Sequence, residues 1–485
     1  MDTPIHLDPR RCYAAMLAHD RRFDGVFFVG VSTTGIYCRP ICRVRIPRAD
    51  RCTFYPNAAS AERAGFRPCL KCRPELAPGL APMDALPRVA QRVAARIKAG
   101  ALTDGTLEIL AQEFDLSSRQ LRRAVESEYG VSPIELALTY RLLLAKQLLT
   151  DTSLKIIDVA FASGFSSLRR FNDAFRKRYR LNPSSLRKRK VDATDAGIVL
   201  RLGYRPPLAW MPLVQFLASR GATRIERLIG ETYYRTVRIG NEIGWIAARP
   251  DIERHQVVVE VSPTLISVLT PLSAKLRQLF DLDASPETIE SHLSTDTQLG
   301  KLLDSTPGLR VPGAIDAFEI SLRAVLGQQI SVKAATTVFG RFVERFGADV
   351  TTPIEGLHKL APRAIDVAAA TQEQLITLGL TRRRAATIQV LAIAFAEGPL
   401  ALRPSMTTSE VLKTLLEIPG IGPWTAHYIA MRVLGDPDAL PHSDLGLMRA
   451  LGVTQAKDVL TAAESWRPWR AYAALHLWHG LSTGG

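Results

Sequence analysis

The chemistry-bearing residues nearest the N-terminus are cysteines. All six cysteines of the 485-residue sequence precede residue 73, and four of them form two close pairs. These four are Cys38, Cys42, Cys69 and Cys72. The short spacing within each pair fits a tight turn, and the two pairs together predict a tetrahedral site for one Zn²⁺. Such a site is most often structural, but zinc-bound sulfur is thiolate and therefore nucleophilic, so the spacing alone leaves both roles open.

A second chemical pattern lies near the C-terminus. Gly420 and Gly422 separate the end of one helical run from the start of the next. A hairpin of this kind exposes backbone N–H groups at a helix N-terminus, where they bind DNA phosphates without regard to sequence. Asp444 stands 22 residues beyond Gly422, in front of a further apolar run. An aspartate in that position is more often an N-cap than a catalytic group, and the two roles can coexist.

The chain that must position these groups is too long for a single core. A length of 485 residues predicts three or four units, and 47% hydrophobic with 22% charged residues is ordinary for a globular chain. The 62 Lys and Arg exceed the 47 Asp and Glu, which gives a net charge of +15. Such a surplus favours a polyanionic partner, because each cation placed on a phosphate releases a counterion. No apolar run approaches the ~18 residues of a membrane span and no signal sequence is visible, so we expect a cytoplasmic protein with no membrane partner.

Changes in composition along the chain predict its domains. A proline-rich stretch at 76–87 and a basic, then small and polar, stretch at 188–197 read as linkers. We expect a multidomain, mainly α chain with small α+β parts. The expected domains are a zinc domain at 1–75, a helical DNA-binding domain at 88–187, an α+β subdomain at 198–310 and a helical domain at 311–485.

One helical pattern occurs twice in the second domain. Residues 107–123 and 156–171 each place apolar residues on one face, turn sharply and continue into a basic helix. In the first copy Ser117 or Ser118 is a suitable N-cap for the basic helix, and in the second copy Gly164 supplies the turn. The alternative is two ordinary helical hairpins. The repeat resembles the paired helix-turn-helix units of AraC-type transcription regulators. That resemblance implies double-stranded DNA at promoter sites as a partner, with RNA polymerase as a further one. The residues expected to reach the major groove or phosphates are Arg119, Arg122, Arg169, Arg170 and Asn172.

The cysteine pattern also has a specific resemblance. Residues 33–45 and 65–72 resemble the N-terminal domain of the Ada family of adaptive-response proteins. In that family the first zinc ligand accepts a methyl group irreversibly from DNA methylphosphotriesters, and Cys38 occupies its position. Methylation would remove one negative charge from the four-thiolate site, so affinity for DNA should rise. The residues expected to contact DNA around it, each otherwise a solvated surface side chain, are Thr34, Arg43, Arg45, Arg67 and Lys71.

The C-terminal pattern resembles the helix–hairpin–helix DNA glycosylase superfamily, and residues 198–485 resemble AlkA-type 3-methyladenine DNA glycosylases. The resemblance implies hydrolysis of the N-glycosidic bond of alkylated purines, with Asp444 as the catalytic carboxylate. A base methylated at N3 or N7 is cationic and leaves without an acid, so one carboxylate suffices where most glycosidases use two. The base must be flipped into a pocket, whose aromatics match Trp424, Tyr428 and Trp478. Core packing is the alternative for these rings, most of all for Trp478.

Several departures and absences limit the activity. Bifunctional members of the superfamily carry a lysine where Trp424 stands, which predicts a monofunctional glycosylase without lyase activity. In the best-known AlkA enzyme a leucine fills the gap left by the flipped base, and the matching position here is Gln329. His442 is expected to be an ordinary loop histidine. Because no cysteine follows Cys72, a cysteine-ligated iron–sulfur cluster and direct O6-methylguanine repair are not expected further along the chain.

Two cysteines and one competing hypothesis remain. Cys12 and Cys52 have no matching partner among the cysteines and are expected to be ordinary buried thiols. The competing functional hypothesis is a DNA-binding regulator whose glycosylase-like half is not catalytic and only adds affinity for DNA.

Overall fold

A computed structural model describes residues 7–79, 89–103, 105–186, 198–398, 400 and 406–483. The chain divides into two compact units, the first of Met1–Arg205 with Asp251–Ala274 and the second of Pro206–Pro250 with Lys275–Gly485. Most of the predicted linker at 76–87 and all of the one at 188–197 lie outside the described residues. None of the helices in the described ranges has the length and apolarity needed to cross a membrane.

The first unit begins with a small α+β module built around one sheet. Its elements are α1 (Pro9–Leu17), β1 (Phe28–Val31), β2 (Ile36–Cys38), β3 (Cys52–Tyr55), α2 (Ala58–Arg63) and β4 (Arg67–Pro68). The strand order is β3-β1-β2-β4, with β1 antiparallel to both of its neighbours and β2 parallel to β4. Strand β2 ends at Cys38, and β4 leads directly into Cys69. The parallel pairing therefore brings the two halves of the cysteine motif to the same end of the sheet.

Six α-helices follow within the described residues of the first unit. They are α3 (Val89–Lys98), α4 (Leu107–Gln112), α5 (Ser118–Tyr129), α6 (Pro133–Asp151), α7 (Ile156–Ala162) and α8 (Leu168–Tyr179). Ser117 caps α5 in a reciprocal capping box with Gln120, and the Ser167 hydroxyl caps α8. The turn before α8 passes through Gly164 at φ +81°, and the equivalent turn before α5 passes through Asp115 at φ +54°. Both predicted helix-turn-helix units are therefore present.

Five strands and four α-helices follow in the next part of the described chain. The elements are β5 (Ile198–Gly203), α9 (Trp210–Arg220), β6 (Glu226–Ile229), β7 (Thr232–Ile239), β8 (Glu242–Asp251), β9 (Gln256–Val261), α10 (Leu269–Leu279), α11 (Pro286–Leu293) and α12 (Thr297–Ser305). In the first unit β5 pairs antiparallel with β9, from Ile198 opposite Val261 to Gly203 opposite Gln256. In the second unit β6, β7 and β8 form an antiparallel meander.

The rest of the second unit is helical. Its helices are α13 (Ala317–Leu326), α14 (Val332–Phe346), α15 (Ala364–Ala368), α16 (Gln372–Ile376), α17 (Arg382–Ala396), α18 (Thr408–Leu416), α19 (Pro423–Ile429), α20 (Leu445–Leu451), α21 (Ala456–Ala462) and α22 (Arg470–Thr483), with a π-helical turn at Ala430–Leu434 after α19. Helix α13 is buried around most of its circumference, with Leu322 and Val325 fully buried, so it is the central element of this core. The predicted fold class, multidomain and mainly α with α+β parts, is confirmed.

Candidate functional site

A cleft of about 1360 Å³ in the second unit gathers the chemistry-bearing residues of the C-terminal half. Helices α13, α17, α19, α20 and α22 and the loops beside them supply most of its lining. The residues predicted from sequence that line it are Gln329, Gly420, Gly422, Trp424, Tyr428, Asp444 and Trp478. Residues that are up to 149 positions apart in sequence are therefore brought to one concave surface.

Asp444 is held by three N–H donors. Its Oδ1 accepts from the backbone N–H of Leu447 at 3.0 Å, so it is the N-cap of α20, and also from Trp478 Nε1 at 2.9 Å. Its Oδ2 accepts from Trp424 Nε1 at 2.7 Å. Capping fixes the carboxylate in place, and Asp444 also lines the cleft, so the N-cap role is present and leaves the carboxylate at the cleft surface.

The three predicted pocket aromatics lie next to one another. The rings of Trp424 and Tyr428 stack with centroids 5.2 Å apart and planes at 8°, and Trp478 is inclined to Tyr428 at 6.4 Å between centroids. Trp478, the ring for which core packing was the strongest alternative, lines the cleft and binds Asp444. These rings provide flat apolar surfaces beside the carboxylate, as a flipped base requires.

Sequence reasoning did not single out the arginines that line the cleft, among them Arg220, Arg323 and Arg432, or Phe216 beside them. Arg432 donates to the Tyr428 hydroxyl at 2.7 Å, and the Arg220 guanidinium lies 3.7 Å from the centre of the Phe216 ring. Burial opposes ionisation of Tyr428, but the charges of Arg432, Arg220 and Arg323 outweigh burial and place its pKa below the ordinary value. This end of the cleft is therefore electropositive. Only Arg432, one helical turn after Tyr428, had a local sequence signal.

The glycine hairpin joins α18 to α19 as the sequence predicts. Gly420 has φ +92°, and a Cβ there would lie 2.1 Å from Thr387 Oγ1, so both its backbone conformation and the space around it require glycine. Gly422 is the N-cap of α19, with open space where a Cβ would be. Gln329 lies across the cleft rim in the exposed loop between α13 and α14.

His442 stays outside the cleft lining. Its ring meets that of His427 edge to face, with centroids 5.7 Å apart, in the loop that precedes Asp444. This arrangement matches an ordinary loop histidine that packs against its neighbour.

The four predicted zinc ligands form a second centre, in the first unit. Their Sγ atoms all lie within 4.8 Å of one another, close enough for one Zn²⁺ to be held by all four. The backbone N–H of Arg39 donates to Cys72 Sγ at 3.3 Å, and that of Lys71 donates to Cys69 Sγ at 3.4 Å. Sulfurs that receive N–H donors suit thiolates, so the set fits the metal. Of the other two cysteines, Cys12 is buried as expected and Cys52 is only partly buried.

Burial differs among the four cysteines. Cys38, Cys42 and Cys69 are buried residues, with Cys38 only 7% exposed, and Cys72 is partly buried. A small cavity of about 20 Å³ lies beside Cys38, lined by Val29, Val31 and Val44 among others. Cys42 and Arg39 also line this cavity, so two of the four cysteines share it.

The side chains expected to contact DNA lie at the surface around both DNA-binding modules. Thr34, Arg43, Arg45 and Lys71 are exposed around the cysteine centre, and Arg67 is half-buried. In the helix-turn-helix units Arg119 and Arg122 are exposed on α5. On α8, Arg169 and Arg170 are exposed, and Asn172 is half-buried.

A buried carboxylate links the cysteine module to the helix-turn-helix units. Glu62 on α2 accepts from the Tyr37 hydroxyl at 3.0 Å and from the Thr139 hydroxyl at 3.1 Å, and Arg178 of α8 lies 3.6 Å away. Tyr37 immediately precedes Cys38. Burial raises the pKa of Glu62 to about 7, against the opposing effects of Arg178 and the two hydroxyls.

We expect Glu62 to make the stability of the first unit pH-dependent. Because the folded chain holds a proton up to about pH 7 that the unfolded chain releases near its ordinary value of 4.5, stability should fall as pH rises through this window. Glu62→Gln should remove this contribution, which approaches ~1.4 kcal/mol per pH unit. Urea unfolding of both proteins between pH 4.5 and 7.5 tests this. The prediction would be contradicted if the difference in unfolding free energy between wild type and Glu62→Gln did not change with pH.

The cleft and its hairpin define a helix–hairpin–helix DNA glycosylase, joined to a paired helix-turn-helix domain and a four-cysteine zinc centre. Comparison with known families agrees. Four family models match consecutive parts of the chain: the metal binding domain of Ada at 11–75, a helix-turn-helix domain at 110–189, the AlkA N-terminal domain at 199–316, and the HhH-GPD superfamily base excision DNA repair protein at 322–470.

Individual relatives extend this result to the whole chain. A Mycobacterium tuberculosis protein, described as a probable bifunctional transcriptional activator/DNA repair enzyme AlkA, is 38% identical over 98% of this chain and 97% of its own length. The Escherichia coli DNA-3-methyladenine glycosylase 2 is 36% identical over 57% of this chain and 96% of its own. The 3-methyladenine DNA-glycosylase structure from Archaeoglobus fulgidus shares the fold, with TM-score 0.52 and 22% identity over 59% of this chain and 98% of its own. The chain belongs to the AlkA family of bifunctional transcriptional activator/DNA repair enzymes.

Proposed function

We propose that the second unit hydrolyses the N-glycosidic bond of alkylated purines such as 3-methyladenine, with Asp444 as the catalytic carboxylate. The observation that carries this proposal is the Asp444 carboxylate, fixed by two indole N–H groups and one backbone N–H inside an aromatic cleft. A charge fixed before the reaction stabilises a developing opposite charge at little reorganisation cost. The opposite charge here is that of the sugar as its bond to the base breaks.

The residues divide the steps of the reaction among them. The hairpin at Gly420 and Gly422 binds the DNA backbone, and Gln329 fills the gap left by the flipped base. The bond between C1′ and the base nitrogen breaks, and its electron pair leaves with the base, which a methyl group at N3 or N7 has made cationic. Asp444 stabilises the oxocarbenium-like sugar and orients the water that adds to C1′. The electropositive end of the cleft, at Tyr428, favours the acceptor edge of the departing purine.

The full chain should therefore release free 3-methyladenine from methylated duplex DNA and leave the abasic strand uncut. No lysine lies among the residues that line the described cleft, so no Schiff base to the sugar is expected. Chromatography of the released bases and denaturing gels of the DNA, run with and without alkali, measure the two results separately. Tight DNA binding without base release would support a regulator with a non-catalytic glycosylase half, and cutting without alkali would contradict monofunctional chemistry.

We further propose that Cys38 accepts the methyl group of a DNA methylphosphotriester in a single turnover. The resemblance to Ada selects this ligand, and a small cavity lies beside Cys38. Zinc keeps the four sulfurs in the thiolate form at neutral pH. Cys38 Sγ attacks the methyl carbon, the carbon–oxygen bond breaks, and the phosphate regains its negative charge. Peptide mass analysis should find about 14 Da added at Cys38; addition at any other of the four cysteines would contradict this assignment.

We also propose that the methylated chain binds promoter DNA through α5 and α8 and acts with RNA polymerase. The exposed arginines of both helices and the match to a helix-turn-helix domain support DNA binding. The description of the Mycobacterium tuberculosis relative as a transcriptional activator supports the polymerase as a partner. Footprinting of the methylated chain on the DNA upstream of its own gene, with and without RNA polymerase, tests DNA binding and the action with polymerase separately.

A further inference from the structure

The loop between α13 and α14 presents exposed side chains at the rim of the cleft, Gln329 and Ile330 followed by Ser331. Gln329 has φ +59°, a left-handed backbone conformation that favours glycine and that few other residues adopt. A side chain displayed from such a backbone needs neighbours that hold the backbone in place. The residues that do so are candidates for a function of their own.

Gln328 connects this loop to the hairpin through its side chain. Its Nε2 donates to the carbonyl oxygen of Gly420 at 3.0 Å and to Thr425 Oγ1 at 2.8 Å. Gly420 belongs to the hairpin, and Thr425 is a buried residue in the first turn of α19, next to Trp424. One amide therefore bridges the loop that carries Gln329 and the turn expected to bind the DNA backbone.

Helix α17 holds the same two segments from a second side. Arg384 donates to the carbonyl oxygen of Gln328 at 2.6 Å, and Thr387 Oγ1 donates to that of Pro419 at 2.8 Å. Beyond the loop, Ser331 caps α14 by accepting from the backbone N–H of Ala334 at 3.2 Å. The loop is thus fixed at Gln328 and at Ser331, and only the two exposed residues project between these points.

We propose that Gln328 is a positioning residue for base flipping. It holds Gln329, the residue that fills the gap left by the base (the finger), in a fixed geometry relative to the phosphate-binding hairpin. The proposal rests on the glycosylase function proposed above. Flipping requires two coordinated contacts, because the backbone must be gripped where the base leaves and the gap must be filled at the same place. Without the amide bridge, the finger and the hairpin can shift relative to each other, and the flipped state loses stability. Gln328 does not touch the reacting atoms and acts through Gln329.

The test compares two duplexes that differ only in the cost of flipping. One carries 7-methylguanine opposite cytosine, and the other carries it opposite an abasic-site analogue, where no pair has to be broken. Gln328→Glu keeps the size of the side chain and removes the donor. We expect its single-turnover excision rate to fall about 30-fold on the paired duplex and about 3-fold on the unpaired one. Gln328→Met, also without a donor, should give the same pattern.

The control is Gln389→Glu, the same change at a residue of α17 whose Nε2 donates to the carbonyl oxygen of Ala370 at 2.9 Å, away from the cleft. Its rate should match wild type on both duplexes. Combining Gln328→Glu with Gln329→Ala should be no slower than Gln329→Ala alone, since one residue acts through the other. Equal losses on the two duplexes, or additive losses in the double variant, would overturn the proposal. If wild type and Gln389→Glu release no base from either duplex, the glycosylase function itself fails, a result distinct from these.

Discussion

Asp444→Asn should lower single-turnover release of 3-methyladenine from methylated duplex DNA by about three orders of magnitude, the scale seen when a preorganised electrostatic stabiliser is removed. Asparagine keeps one oxygen for the backbone N–H of Leu447, so the cap of α20 survives. The amide has no negative charge to stabilise the sugar, and the NH₂ group that replaces Oδ2 cannot accept the hydrogen bond from Trp424 Nε1. Binding to methylated DNA should stay close to wild type, because the hairpin and the surface cations are unchanged.

A second aspartate of the chain has a similar environment and serves as the control for Asp444→Asn. Asp296 is the N-cap of α12, where its Oδ1 accepts from two backbone N–H groups and its Oδ2 accepts from Trp466 Nε1 at 2.9 Å. It therefore combines a helix cap with an indole donor, as Asp444 does, but it does not line the cleft. Asp296→Asn should cost similar stability and leave the rate of base release within about threefold of wild type. Equal losses in the two variants would mean that Asp444 is only a cap.

The sequence predicts elements best where local chemistry decides the backbone. Ser117 caps α5 and Gly164 supplies the turn before α8, because a capping hydroxyl and a left-handed glycine act within a few residues. In the first helix-turn-helix copy the equivalent left-handed turn residue is Asp115, which is a weaker turn signal in the sequence than glycine. Aspartate tolerates this conformation, so the two copies share the same turn although the residue type differs.

The candidate pocket was predictable only in part, for a physical reason. Trp424, Tyr428 and Asp444 belong to one continuous motif, so a resemblance finds them together. Phe216 and Arg220 reach the same cleft from α9, about 200 residues upstream, and no periodicity or spacing links them to the motif. Long-range packing of this kind depends on how helices are arranged in the core, which local sequence patterns do not contain.

The positive charge in the cleft changes how the aromatic rings are interpreted. The sequence suggested that the rings attract a cationic base through their faces. Arg432 already lies 5.6 Å from the centre of the Tyr428 ring and 5.0 Å from that of Phe216, and Trp424 stacks on Tyr428. Stacking thus covers one face of Trp424, and Trp478 offers a further aromatic surface in the cleft. Arg432 is buried and already donates to the Tyr428 hydroxyl, so it acts on the cleft through its charge.

The cysteine centre shows a similar division between ligand set and environment. The spacing of the pairs predicts all four ligands, because two short loops can bring their sulfurs to one ion. It does not predict that Cys38 is buried and Cys72 only partly buried, since burial depends on the packing of residues distant in sequence. Nor does it predict Glu62, because a buried glutamate on a short helix has no sequence signature apart from its partners on α6 and α8.

Methylation of Cys38 should tighten binding of the chain to a promoter-length duplex by roughly tenfold at low salt. Four thiolates on one Zn²⁺ carry a formal charge of −2, and a thioether in place of one thiolate leaves −1. At ~10 Å in water one unit charge interacts with one phosphate by about 0.4 kcal/mol, so three or four phosphates give about the tenfold change. Arg43, Arg45 and Lys71, all exposed around the centre, then act on DNA with less opposing charge.

Salt separates this charge effect from a change of shape. Screening over ~10 Å at 0.1 M salt should bring the affinities of the methylated and unmethylated chains together as salt rises. Fluorescence anisotropy with chains treated or untreated with methylphosphotriester DNA measures both series. Cys52→Ala, which removes a cysteine outside the metal centre, should respond as wild type does. An affinity gain that persists at 0.5 M salt would instead indicate a rearrangement, and the route for it would be Tyr37, which joins Cys38 to Glu62 and through it to α8.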